Sequence, residues 1–352
     1  MAKIRVLVVD DSALMREMIS DILRQDAEIE VIGAARDPYA ARDKILSDEP
    51  DVVTLDVEMP RMDGLTFLEK LMSGHPLPVV MLSSLTEKGC ETTLRALELG
   101  AVDFVTKPKL DLSQTIGEQA DEIIAKVKAA ATARVKRLDL HAKPARKNSR
   151  PCEALITSTH KVIAIGASTG GTEALASVLS ALPSNSPGIV AVIHMPPNFT
   201  KAYAERLDNL CDINVKEAAH GDRILPGHAL IAPGNYHMSV FRSGANYSVK
   251  INQDERVNRH RPSVNVLFDS CAQYLGTNVT GVMLTGMGDD GASGMLAMHE
   301  AGAKTIAQDE ATCVVFGMPK AAIAVGAVDT VLPLSKIPDA MLRYCRDTVA
   351  AH

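Results

Sequence analysis

Five times in the first 125 or so residues a short strand-like run is followed by a segment with helical spacing, and four of the runs close on a polar residue. The runs are Arg5–Val9, Val31–Ala34, Val52–Leu55, Pro78–Leu82 and Val102–Val105. Runs of this length without polar alternation suit strands buried on both faces, as in a parallel sheet. After the first run, Ser12 stands where a helix cap belongs. Met15, Met18, Ile19, Ile22 and Leu23 then fall at i, i+3, i+4, i+7 and i+8, one helical face. Five such βα units predict a doubly wound parallel sheet whose site lies at the carboxyl ends of its strands.

The residues at those ends carry chemistry. Asp10 and Asp11 close the first strand, Asp56 the third, Ser83 the fourth, and Lys107, before Pro108, the fifth. Carboxylates converging at one end repel one another unless a cation joins them. An oxygen-only set of this kind suits Mg²⁺, which keeps several waters and completes its shell with phosphate oxygens. A carboxylate beside Mg²⁺ and a Lys ammonium is equipped to attack a phosphoryl donor, with Ser83 within reach of the transferred oxygens.

The second half opens with the strand-like run Lys161–Ile165 and the turn Gly166-Ala-Ser168-Thr-Gly170-Gly171-Thr172, followed by an amphipathic stretch through Leu175, Val178, Leu179 and Leu182. Ser168 therefore falls near a helix N-terminus, where free N–H groups favour developing negative charge. The segment fits G-x-S-x-G, and equally an N-capping serine or a phosphate-cradling loop. Neither a G-K-[ST] sequence nor a complete G-x-G-x-x-G accompanies it. His194 follows the next strand-like run, Ile189–Ile193, and Asp290 lies in a glycine-rich loop after Gly281–Leu284. The strand-end rule puts His194 beside Ser168. The chain order Ser168, His194, Asp290 differs from the Ser–Asp–His order of α/β-hydrolases, which argues against that fold and leaves the chemistry open.

Charge marks the organisation. Residues 1–133 hold 15 Lys and Arg against 24 Asp and Glu, residues 134–158 hold 7 against 2, and residues 159–352 hold 15 against 17. The basic middle stretch has two prolines and no sustained periodicity, so it reads as a linker. The predicted architecture is α/β: residues 1–125, a helix end and linker over 126–158, and a larger Rossmann-like doubly wound domain over 159–352. Apolar residues at 46% and charged ones at 23% exclude a disordered chain. No apolar run reaches membrane-spanning length, and the N-terminus runs directly into a strand, so no membrane insertion is expected. The cysteines at 90, 152, 211, 271, 313 and 345 form no C-x-x-C pair, which suggests reduced thiols and a cytoplasmic location. An output block without Trp and without a basic recognition helix argues against nucleic acid as a partner.

Residues 1–125 resemble the receiver domains of two-component response regulators, through Val8-Val9-Asp10-Asp11-Ser12, Leu55-Asp56-Val57-Glu58-Met59-Pro60, Ser83 and Thr106-Lys107-Pro108. The resemblance implies a five-stranded flavodoxin-like fold with Asp56 as phosphoacceptor. It also implies Mg²⁺ on Asp10, Asp11, Asp56 and the backbone carbonyl of Glu58, and switch positions at Ser83 and Phe104. Residues 159–350 resemble the catalytic domain of the chemotaxis protein-glutamate methylesterases, as does the receiver–linker–esterase order of the whole chain. The matching segments include Ile165–Thr172, His194-Met-Pro, Asn258-Arg-His-Arg-Pro-Ser263, Leu284–Gly288 with Asp290-Gly, and Phe316-Gly-Met-Pro319. Ile193, Asp289 and Asn265 depart from the family pattern. This resemblance implies Ser168 as nucleophile, His194 as base and Asp290 as orienting carboxylate. The backbone N–H of Met287 is a candidate oxyanion donor, and the esterase step needs no cofactor. Implied partners are methylated chemoreceptors as substrate and a chemotaxis histidine kinase as phosphodonor. The expected activity is release of methanol from glutamate γ-methyl esters, with glutamine deamidation beside it, gated by phosphorylation of Asp56 that relieves occlusion by the receiver. Two other outputs, a DNA-binding module and a catalytically silent binding module, fit the receiver alone but not the second set of motifs.

Overall fold

The computed structural model describes residues 2–59, 62–84, 86–108, 116–135, 137 and 161–346. Most of the basic stretch read as a linker, from residue 138 to 158, lies outside them. The chain divides into two units, Met1–Lys143 and Pro144–His352.

The first unit runs β1 (Ile4–Val9), α1 (Ala13–Arg24), β2 (Ile29–Ala35), α2 (Pro38–Asp48), β3 (Val52–Asp56), α3 (Gly64–Gly74), β4 (Val79–Ser83), α4 (Glu87–Glu98), β5 (Asp103–Thr106) and α5 (Ile116–Ala131). All strand pairs are parallel, in the order β2-β1-β3-β4-β5. The expected doubly wound sheet is present. Every residue of β3 and β4 is buried, which accounts for runs with no polar alternation. Ser12 caps α1 as its position suggested, accepting the Met15 N–H at 3.4 Å. Strand order reverses at β1, which has β2 on one side and β3 on the other. Asp10 and Asp56 end that pair, at the crevice where such sheets bind ligands.

The second unit is built on β6 (Val162–Ala167), α6 (Gly171–Ser180), β7 (Gly188–Ile193), α7 (Phe199–Leu210), β8 (Asn214–Glu217), β9 (His228–Ile231), β10 (His237–Ser243), β11 (Asn246–Asn252), α8 (Val264–Leu275), β12 (Val279–Met283), α9 (Ala292–Glu300), β13 (Lys304–Gln308), α10 (Met318–Ala324), β14 (Thr330–Leu332) and α11 (Ile337–Cys345). Seven strands form a parallel sheet in the order β14-β13-β12-β6-β7-β9-β8, and β10 pairs with β11 in a separate antiparallel hairpin. β12 begins two residues earlier than its sequence run suggested, because Val279 and Thr280 pair with Val162 and Ile163 on β6.

A core of Val190, Met283, Val264, Leu267, Phe268 and Met295 clamps α8 and α9 onto this sheet. Each large side chain so buried contributes roughly 1.5–3 kcal/mol. Gly166 on β6 sets how closely α8 approaches: a Cβ there would lie 2.3 Å from Val264 Cγ1. The first turn of α8 is thereby held against the carboxyl ends of β6 and β12. No helix among the described residues is long and apolar enough to cross a membrane.

Candidate functional sites

In the first unit, Asp10, Asp11 and Asp56 bring one carboxylate oxygen each within 4.8 Å of the others. Asp10 and Asp56 are buried, while Asp11 is exposed. The Lys107 ammonium stands 2.9 Å from Asp10 Oδ2 and 2.8 Å from Asp56 Oδ1. Burial alone would lower the Lys107 ammonium, but its contacts with Asp56 and Asp10 hold it above its ordinary value. Burial pushes the Asp56 carboxyl up to about 6, and the Asp10 charge adds to this while Lys107 opposes it. Asp56 Oδ2 has no hydrogen-bond partner among the described residues. Three carboxylates and one ammonium leave a formal charge of −2, with a buried oxygen unmatched. That donor set fits a hard divalent cation such as Mg²⁺.

The remaining residues expected at this site divide. The Glu58 N–H donates to Asp56 Oδ1 at 3.2 Å, which fixes the loop that carries the Glu58 carbonyl. The Ser83 hydroxyl is turned toward α4. It lies 2.5 Å from Thr93 Oγ1 and 3.4 Å from the Gly89 carbonyl, and donates to Ser84 O at 3.1 Å. Phe104 is buried at 2% exposure. Lys126 sits 5.0 Å above its ring and donates to its carbonyl at 2.6 Å. Arg16, singled out by nothing in the sequence, ties α1 to the site by donating to the carbonyls of Asp10 and Asp11 at 2.7 and 2.9 Å.

In the second unit, β12, β6 and β7 are adjacent, and the segments following them carry Asp290, Ser168 and His194. Backbone hydrogen bonds join the three: His194 N–H to Ala167 O at 3.2 Å and Ser168 N–H to Thr285 O at 3.0 Å. His194 Nδ1 lies 3.2 Å from Ser168 Oγ, and its Nε2 lies 2.8 Å from Asp290 Oδ2. The imidazole thus turns Nδ1 to the hydroxyl and Nε2 to the carboxylate. A proton on Nε2 leaves Nδ1 free to accept the hydroxyl proton.

Asp290 is the most elaborately held of the three. Besides His194, its oxygens accept from Ser263 Oγ at 2.8 Å, Asn258 Nδ2 at 3.0 Å, and the N–H groups of Val264 and Asn265 at 2.7 and 3.3 Å. The last two are the free amides at the start of α8, where the helix dipole favours an anion. Burial pushes the carboxyl up, but the His194 hydrogen bond and charge, with Ser263 and Val264, outweigh it and hold Asp290 at about 2. The α8 partners come from residues 25 to 27 positions away in sequence, and close approaches at Gly166 and Gly291 to Val264 hold them within reach.

Met287 follows Gly286, where a Cβ would stand 2.8 Å from Ser168 Cβ and 3.1 Å from Ser168 N. The Gly286 amide is spent on Val315 O at 3.1 Å. Behind the site, the Thr285 hydroxyl bridges the carbonyls of Thr169 and Val315 at 3.0 and 3.1 Å, and the Thr285 N–H donates to buried Gln308. Of the departures from the family pattern, Asn265 turns its side chain to Ser293 and Gly294 on α9, and Ile193 is buried in β7. Asp289 is exposed.

A carboxylate–imidazole–hydroxyl chain at the ends of three neighbouring parallel strands is the geometry of nucleophilic acyl transfer. Known families agree with both halves. The receiver domain of response regulators matches residues 6–116, and the CheB methylesterase model matches residues 163–341. The chain is 59% identical over 341 residues to a protein-glutamate methylesterase/protein-glutamine glutaminase of Geobacter metallireducens, covering 95% of this chain and 94% of that one. It is 57% identical over 342 residues to the protein of the same name from Salmonella choleraesuis, with 97% of each covered. The crystal structure of the Thermotoga maritima CheB methylesterase catalytic domain superposes with a TM-score of 0.52 at 40% identity, covering 53% of this chain and 99% of that domain. The chain belongs to the CheB methylesterase family, with a receiver domain ahead of the methylesterase domain.

Proposed function

We propose that the protein hydrolyses glutamate γ-methyl esters on chemoreceptors, releasing methanol, and deamidates glutamine side chains by the same route, under control of phosphorylation at Asp56. The names of the relatives support the substrate class. The observation that carries the mechanism is the continuous chain from Ser168 Oγ through His194 to Asp290, at 3.2 and 2.8 Å.

In this reading Ser168 Oγ attacks the γ-carbonyl carbon while His194 Nδ1 takes its proton. Asp290 stabilises the imidazolium through Nε2–H and fixes its tautomer. The tetrahedral oxyanion is met by backbone amides, with Met287 N–H a candidate because its neighbour Gly286 packs on Ser168. Collapse breaks the ester C–O bond, or the C–N bond of a glutamine, and the imidazolium gives its proton to the departing oxygen or nitrogen, which leaves as methanol or ammonia. His194 then takes a proton from water, which attacks the acyl-enzyme and releases glutamate and Ser168.

In the receiver, Asp56 is the acceptor of a phosphoryl group from a histidine kinase. Lys107 holds the charge of Asp10 and Asp56 at fixed positions around it. Asp10, Asp11, Asp56 and the Glu58 carbonyl would hold Mg²⁺, which when bound offsets charge on phosphoryl oxygens. Ser83 is bonded to α4, and Phe104 is buried on the neighbouring strand β5, opposite Met81. A new phosphoryl group that recruits the Ser83 hydroxyl would break its bond to Thr93, so that α4 senses phosphorylation. The cysteines among the described residues, at 90, 211, 271, 313 and 345, are free and buried, which suits a cytoplasmic setting.

The test is methanol release from methylated receptor by wild type, Ser168→Ala and His194→Ala. Each alanine variant should lose several orders of magnitude in kcat, since each removes a member of one proton-transfer unit. Near-normal turnover in either would overturn the assignment.

A further inference from the structure

The segment between β11 and α8 sets three side chains against the triad, Asn258 and Ser263 on Asp290 and His260 on His194, and its backbone is bent to do so. Val257 and His260 exchange both backbone hydrogen bonds, Val257 N–H to His260 O at 3.2 Å and His260 N–H to Val257 O at 2.9 Å. The two residues between them, Asn258 and Arg259, both have positive φ, at 50° and 66°. A two-residue hairpin with both central residues left-handed is a primed turn, which ordinarily uses glycine or asparagine. Arg259 pays a steric penalty there, and strain of this kind persists where surrounding contacts over-determine it. One such contact is the Asn258 Nδ2 donation to Asp290 Oδ1 at 3.0 Å. The other is a stacked pair: the His260 ring lies face to face with the His194 ring, centroids 3.7 Å apart and planes 10° from parallel.

We propose that His260 is a positioning residue for the hydrolysis, a flat backstop that fixes the plane of the His194 imidazole. The hydrogen bonds at Nδ1 and Nε2 define a line through the His194 ring but leave it free to rock about that line. Rocking swings the Nδ1 lone pair out of aim with Ser168. A parallel ring at van der Waals distance blocks that motion on one side and keeps water from the same face. The turn is the device that puts it there: its left-handed pair directs Asn258 to the carboxylate and His260 to the imidazole from one short loop. The inference rests on the reading of Ser168, His194 and Asp290 as the acyl-transfer triad, and assigns His260 no contact with the reacting atoms.

The experiment compares wild type, His260→Ala, His260→Phe and Ser168→Ala in the full chain. Two readouts are used: methanol release from methylated receptor, and the rate of phosphonylation of Ser168 by a small fluorophosphonate. His260→Ala should lower kcat about tenfold with KM within twofold, and should slow phosphonylation by a similar factor. His260→Phe, which keeps a flat face, should recover most of both. The proposal is overturned if His260→Ala leaves kcat and phosphonylation unchanged. It is equally overturned if His260→Ala moves KM alone, which would make His260 a receptor contact, or if His260→Phe is no better than alanine. Full turnover in Ser168→Ala would instead remove the triad reading itself. An inert Ser168→Ala beside a normal His260→Ala removes only the role of His260.

Discussion

Replacing Asp290 by asparagine should separate two consequences of how that carboxylate is held. The substitution keeps shape but turns one oxygen into a donor. Oδ1 receives three donors, from Asn258, Ser263 and the Asn265 amide, and Oδ2 receives two, from His194 and the Val264 amide. The amide of the variant therefore keeps its oxygen on the Oδ1 side and points its NH₂ at Val264 N–H and His194. To accept from that NH₂ the imidazole must present a bare Nε2, which moves its proton to Nδ1, facing Ser168. A protonated Nδ1 cannot take the serine proton. Tautomer inversion of this kind in Ser–His–Asp sites lowers kcat by about 10⁴, or about 5.5 kcal/mol. Stability should change as well. Asp290 is held at about 2 against an ordinary 3.8, and with its side chain 1% exposed this corresponds to about 2 kcal/mol at neutral pH. A carboxyl depressed in the folded state contributes fully above its unfolded value and loses that contribution as pH falls through its folded one. The stability gap between wild type and variant should thus be full at pH 7 and shrink between about pH 4 and pH 2. Urea unfolding of both proteins across that range, with methanol release at pH 7, measures both effects. Turnover within tenfold of wild type, or a gap that stays constant into acid, would refute the account of Asp290.

Gly286→Ala should lower turnover about 100-fold, because its Cβ would sit 2.3 Å from Met318 Sδ and 2.8 Å from Ser168 Cβ, so that the Ser168 segment is pushed out of place; normal turnover would mean that Met318 and the loop yield freely. Asp56→Asn should abolish incorporation of phosphate from a phosphodonor while leaving basal methanol release intact, and phosphate appearing elsewhere on the receiver would move the acceptor. A chelator should block phosphorylation but spare basal hydrolysis by the unphosphorylated protein; lost hydrolysis would put a metal in the second unit. Deleting residues 1–143 should raise basal methanol release if the receiver restrains the enzyme, and a truncated protein no faster than the unphosphorylated full chain would mean that activation comes from positive contacts made by the phosphorylated receiver.

What was legible in the sequence was whatever depends on a strand's end. Asp10, Asp56, Lys107, Ser168 and His194 each follow an apolar run, and parallel sheets bring such positions together without further information. The partners of Asp290 were not legible in this way. Ser263, Val264 and Asn265 reach it through tertiary packing, in which Gly166 lets α8 lie close on β6, a contact between segments about 100 residues apart. The segment from Asn258 to Ser263 stood out as a motif, yet its geometry depends on left-handed Asn258 and Arg259, and neither is glycine. Sequence rules read glycine as the signal for such turns, so the stacking of His260 on His194 left no trace. Ser83 was correctly placed at a strand end, but a rotamer chose its partner, and the hydroxyl faces Thr93. The β10–β11 hairpin was also missed as an element, although its paired residues, from His237 with Asn252 to Ser243 with Asn246, join only a two-residue turn.

The two sites contain buried carboxylates that solve the same electrostatic problem in opposite ways. Asp290 has donors on both oxygens, drawn from a helix start, two side chains and the imidazole, and its carboxyl is held low as a result. Such an anion is fully compensated before any substrate arrives, which suits the proposed mechanism, in which His194 passes between neutral and cationic forms beside it. Asp56 is the reverse. It keeps one buried oxygen without a partner, shares a single ammonium with Asp10, and is pushed up to about 6. A carboxylate left under-compensated by its own protein is the one with affinity to spare for an incoming cation and with a lone pair free to form a bond. The difference follows from local architecture. Asp290 faces a helix N-terminus that delivers amides in the right direction, whereas Asp56 ends a strand and looks across the crevice at two other carboxylates. Carboxylates on segments at the carboxyl ends of parallel strands are therefore fully compensated in one unit and under-compensated in the other, according to what the neighbouring segment presents.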